Sequence, residues 1–139
     1  FSMPHDPELV AETRAWLAKA WLDLAAADHE MTAEPPFVED IVFHAQQAAE
    51  KSFKALLTWH SKPFRKTHNL EELGEQSLGV APELKAIVDD AVPLTDYAWK
   101  FRYPGDPAAP SRDEAQSALA IARATFEAIL RRLPEEVRP

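Results

Sequence analysis

Backbone freedom in this chain is scarce and confined to a few places, which limits how it can fold. Only Gly74, Gly79 and Gly105 lack a side chain, and most prolines gather at Pro35-Pro36, Pro63, Pro82, Pro93, Pro104 to Pro110 and Pro134. Read as punctuation, these residues divide the chain into long stretches rich in Ala, Leu, Glu and Lys, which are strong helix formers. From about Pro7 to Met31, Leu9, Thr13, Trp16, Leu17, Ala20, Trp21, Leu24 and Ala27 recur at three- and four-residue steps, which predicts an amphipathic helix. From about Phe37 to His60, Ile41, Ala45, Ala48, Ser52, Ala55 and Trp59 form one stripe, with Val42, Ala49, Phe53 and Leu56 beside it. So wide an apolar circumference predicts a central helix buried on two sides.

A third helix is predicted after Pro82, with Leu84, Ile87, Val88, Ala91, Leu94, Thr95 and Ala98 in phase as far as Tyr103-Pro104. Pro93 removes one of its hydrogen bonds and should kink it. The fourth begins at Ser111, with Glu114 completing a capping box, and carries Ala115, Ala118, Leu119, Ala122, Phe126, Ile129, Leu130 and Leu133 up to Pro134. Between the second and third, Asn69-Leu70-Glu71-Glu72-Leu73 is expected to add a turn or two of helix capped by Asn69. No stretch alternates apolar and polar residues over the length of a strand. The fold class is therefore all-α, an up-and-down antiparallel bundle of four long helices with a short extra helix between the second and third.

With 139 residues, residues 1–139 are expected to form one domain. Phe1-Ser2-Met3 reads as a cloning remnant ahead of a start at Met3, and residues 1–6 are expected to lie outside the ordered fold. The absence of cysteine excludes a disulfide framework, a Cys-ligated zinc site and a thiol nucleophile, and with no apolar run long enough to span a membrane the cytoplasm is the expected compartment.

Several chemistries lack their signatures. There is no glycine-rich phosphate loop, and His5, His29, His44, His60 and His68 are never three or four residues apart, so no helix-borne metal pair is expected. No serine sits in a Gly-x-Ser-x-Gly elbow. What stands out is a basic island in a chain of net charge −8. Between Lys51 and Leu70 there is no Asp or Glu, while Lys51, Lys54, Lys62, Arg65 and Lys66 are cationic and Trp59, His60, Phe64 and His68 are interleaved. One reading is a solvated face in which Glu50 and Lys54 pair at i, i+4. The other is an anion site, since Pro63-Phe64-Arg65-Lys66-Thr67-His68 offers two fixed cations, an imidazole and a hydroxyl. Trp99-Lys100-Phe101-Arg102-Tyr103-Pro104 again sets cations between aromatics, suited either to a helix C-terminus or to stacking on a base.

These stretches carry a family resemblance. The run from Phe43 to Leu57 (FHAQQAAEKSFKALL), Arg65 to Leu73 (RKTHNLEEL) and Arg102-Tyr103-Pro104-Gly105, together with Trp16-Leu17, Ala20 and Asp23-Leu24, resembles the HEPN domain (higher eukaryotes and prokaryotes nucleotide-binding), of the bacterial stand-alone type. The resemblance covers about residues 10 to 133. It implies a helical bundle that often forms homodimers, a link to nucleotide binding, and a small nucleotidyltransferase as a frequent partner. Several branches of the family are metal-independent ribonucleases of toxin–antitoxin and defence systems, and these carry an Arg followed after four to six residues by His. Here Pro107, Ala108 and Ala109 stand where that His would follow Arg102, and Arg65 precedes His68 by too little.

The expected function is thus a homodimeric helical bundle that binds a nucleotide or other phosphate-bearing ligand, without catalysis of its own and with a nucleotidyltransferase partner. Lys51, Lys54, Arg65, Lys66, His68, Arg102 and Tyr103 are the expected ligand residues, with no catalytic residue, metal or cofactor. The alternative is a HEPN-type metal-independent ribonuclease with a degenerate site, for which RNA would be the ligand.

Overall fold

The structure is a computed structural model that describes residues 4–106 and 108–139. Among them are five α-helices and no strand: α1 (Pro7–Met31), α2 (Val38–Trp59), α3 (Leu70–Val80), α4 (Lys85–Ala91) and α5 (Arg112–Leu130). Three short 3₁₀ segments, Pro82–Leu84, Val92–Ala98 and Glu135–Val137, complete the set.

Local chemistry explains where the helices start. The Asp6 side chain accepts from Glu8 N–H ahead of Pro7, whose missing N–H costs nothing in a first turn. Asn69 accepts from the N–H groups of Glu71 and Glu72, and Ser111 from that of Glu114. Asp6 therefore belongs to the ordered fold, and His5 stacks edge-on against Trp59 at 4.7 Å; residues 1–3 lie outside the described residues.

Helix α2 is central, as its pattern predicts. Ile41, Val42, Ala45, Ala48, Ala49, Phe53, Ala55, Leu56 and Leu57 are all fully buried, enclosed by α1, α3, α5 and the 3₁₀ segment Val92–Ala98. Contacts fix the direction of its neighbour: along α1, Trp16 meets Lys54, Asp23 meets Lys51, and Glu30 meets His44, so the two helices run antiparallel. Asp28 pairs with Arg123 while Arg14 reaches Glu136, so α5 is antiparallel to α1 as well.

The predicted third long helix is not one helix. Its α-helical part ends at Ala91 after seven residues, and Val92–Ala98 continues as a 3₁₀ helix. Pro93 donates no hydrogen bond and its ring collides with the carbonyl four residues back, so the tighter winding replaces the α-helix instead of bending it. The extra helix is correspondingly longer than expected, 11 residues from Leu70 to Val80. Three long helices therefore pack against a broken α3–α4 segment. No helix among the described residues is long and apolar enough to cross a membrane.

Candidate functional site

One face of α2 carries polar side chains where a central helix should be apolar. Gln46, Glu50 and Lys54 follow each other at i, i+4 spacing, and all three are buried. They survive burial because each is paired. Lys54 Nζ donates to Glu50 Oε2 at 2.9 Å, and Gln46 Nε2 donates to Glu50 Oε1 at 3.2 Å and to the His68 carbonyl at 3.0 Å. His68 Nδ1 meets the same Oε1 at 2.6 Å, and its exposed ring continues into solvent. The Lys54 ammonium also lies 5.3 Å from the Trp16 ring centroid and 5.8 Å from that of Phe64, inside cation–π range.

A second polar group lies between α1 and α2. Asp23 accepts from Lys51 Nζ at 2.7 Å and from His44 Nδ1 at 2.9 Å, while His44 Nε2 is 3.6 Å from Glu30 Oε1. The hydrogen bond to Asp23 raises the His44 pKa above its usual 6.5, against the effect of burial. Burial, helped by a hydrogen bond with Asp40, raises the Glu30 carboxyl from 4.5 to about 7, although cationic His44 opposes the shift.

The loop after Val92–Ala98 positions Arg102. Phe101 is buried and stacks on Tyr97 with centroids 6.2 Å apart, and it adopts a left-handed backbone with φ of 69°. Such a conformation is rare for an aromatic residue and here turns the chain so that the Arg102 guanidinium lies 3.9 Å from the Phe43 ring centroid. Tyr97 donates to Glu114, which ties this loop to the first turn of α5; burial, reinforced by Glu114, raises the phenol pKa. Tyr103, 65% exposed, follows at the surface.

The basic island is thus dispersed into separate ion pairs. Lys51 and Lys54 hold Asp23 and Glu50, and Arg65 is bound by Glu72 at 2.8 Å. Lys66 is exposed and has no carboxylate partner among the described residues. Lys54 and His68 converge on Glu50, whereas Arg102 sits over Phe43, two turns earlier on α2, about 10 Å along its axis, with Tyr103 next to it in the chain. Spacing alone presents Glu50 as a surface partner of Lys54 and gives no site role to Phe43, Gln46 or the Asp23–His44–Glu30 group. The signal for Gln46 and Glu50 was their position on a stripe otherwise set for burial.

The model of the HEPN domain matches residues 13–133. The chain belongs to the HEPN family. Neither curated proteins nor solved structures give a match. The matched span takes in α1 from Thr13, all of α2 to α5, and every residue of the polar strip just described. Membership associates this chain with the nucleotide-related and ribonuclease-like functions of HEPN domains.

Proposed function

We propose that this HEPN domain is a non-catalytic, single-domain binding protein for a nucleotide or similar phosphate-bearing ligand, and that it acts with a nucleotidyltransferase partner. The observation that carries this reading is Arg102: its guanidinium lies over the Phe43 ring, 3.9 Å from the centroid, makes its one side-chain hydrogen bond to the Ala98 carbonyl, and has no carboxylate partner among the described residues. A guanidinium held over an aromatic ring keeps N–H donors for a phosphate, and the neighbouring exposed Tyr103 is an aromatic on which a base could stack. His68 and Lys66 supply further donors, while Lys51 and Lys54 hold Asp23 and Glu50 in place. Arg65 joins only on leaving Glu72, an exposed pair that costs little to break.

Catalysis is not expected from this strip alone, because no histidine follows Arg102 at the ribonuclease spacing and the loss of general acid–base help typically costs ~10²–10⁴-fold. The test is thermal unfolding with and without ATP. At ~100 times Kd a ligand of the folded state contributes ~2.7 kcal/mol, a shift of several degrees. Arg102→Ala should abolish the shift while leaving the unliganded protein folded. A full shift in that variant, or none in the parent protein, overturns the proposal.

A further inference from the structure

A cavity at the other end of the bundle shares no residue with the polar strip. It encloses about 570 Å³ where the C-terminal ends of α2, α3 and α5 meet. That is within the range of small-molecule sites, ~300–1,000 Å³. Its floor is apolar: Leu56 from α2, Leu84 from the turn into α4, and half-buried Ile87 from α4. Its rim is polar, with His60, Glu83, Arg131 and Arg132.

The rim charges do not cancel. Arg132 pairs with Glu83, but Arg131 has no carboxylate partner among the described residues. One positive charge is left over an apolar floor, in a chain of net charge −8. Capping the α5 dipole would explain an arginine at that helix end, but it does not explain a roomy apolar floor beneath it. We infer that the cavity between α2, α4 and α5 binds a small amphipathic monoanion, an aliphatic or aromatic carboxylate, with its apolar body on Leu56, Leu84 and Ile87 and its head group on Arg131. A monoanion matches the single uncompensated charge, and a guanidinium accepts a carboxylate through two parallel N–H donors. The inference does not depend on the role of Arg102.

Calorimetric titration of the full chain with sodium decanoate, below its micelle concentration, tests the site. Decyltrimethylammonium, with the same tail and the opposite charge, is the control. Saturable one-to-one binding of decanoate is expected, with the cation at least about tenfold weaker. Arg131→Glu, an exposed change that leaves the fold intact, should weaken decanoate about tenfold. Ile87→Trp, which fills the cavity from its half-buried edge, should remove binding, and far-ultraviolet circular dichroism confirms that each variant is folded. Absence of saturable decanoate binding, equal affinity for the cation, or undiminished affinity in both folded variants overturns the inference. An ATP-induced thermal shift that persists in Arg131→Glu would show that the two sites fail or succeed separately.

Discussion

Lys54 Nζ lies 2.9 Å from Oε2 of Glu50, one turn back on α2, and both side chains are withdrawn from water. An ion pair in such a place is strongly coupled, because either charge left alone would be buried without compensation. Glu50→Ala and Lys54→Ala are each expected to lower stability by about 3 kcal/mol. The double variant should lose clearly less than the two together, with a coupling within the ~0.5–3 kcal/mol seen for contacting residues. Urea unfolding of the four proteins checks this, and additive losses would show that the pair is not a unit.

The close approach of α3 to α4 rests on Gly74. A Cβ built there would lie 2.5 Å from Cγ1 of Val88, a branched and buried side chain with little freedom to move aside. Alanine has the higher helix propensity, by ~1 kcal/mol, so on an exposed helix face the substitution would stabilise. Here overpacking should win, and Gly74→Ala is expected to lower stability by ~1–3 kcal/mol in thermal or urea unfolding. Gly79→Ala, with nothing within 4 Å of the added carbon, is the matched control and should be neutral or stabilising.

What was readable in the sequence was local. Asn69 and the Ser111–Glu114 pair announce their helix starts through bonds that span three residues at most, and the apolar width of α2 reports its central position. Apolar periodicity continues through Pro93 whereas the hydrogen-bond ladder does not, so the pattern predicts one helix where α4 and a 3₁₀ segment form. The basic island looked uncompensated for a related reason. Two of the carboxylates that neutralise it come from other elements, Asp23 on α1 lying 28 residues before Lys51 and Glu72 on α3 lying seven after Arg65, while Glu50 sits on α2 itself, just outside the acid-free stretch. A composition window sees charge along the chain and not across helices. The placement of Arg102 on Phe43 depends on the left-handed turn at Phe101, for which the residue types give no warning.

Exposed apolar surface on α1 bears on self-association. Trp21 and Leu22 are adjacent and 52% and 53% exposed, and Trp21 borders a groove floored by Leu24, Phe126 and Leu130. A homodimer proposed through this face should show twice the 15.6 kDa chain mass in light scattering at micromolar concentration. Trp21→Glu combined with Leu22→Glu should return it to the single-chain mass without lowering its melting temperature. A parent protein that already scatters as one chain refutes the dimer.

The Asp23–His44–Glu30 group makes stability depend on pH in a definite direction. Glu30 titrates at about 7 in the folded protein and near its ordinary 4.5 when unfolded, so between those values the folded state binds the extra proton. Stability then falls as pH rises. The contribution is complete below about 4.5 and gone once pH has passed about 7. His44 acts with the same sign, since its pKa is raised by Asp23: its share is present below 6.5 and disappears as pH rises through the raised value. The melting temperature should accordingly decline from pH 5 to pH 8. Glu30→Gln removes the buried charge that forms at high pH, so it should flatten the profile between pH 5 and 7 and raise the melting temperature at pH 8. A parent profile that is level or rising over this range, or a Glu30→Gln profile as steep as the parent's, would show that Glu30 and His44 do not hold the protons assigned to them.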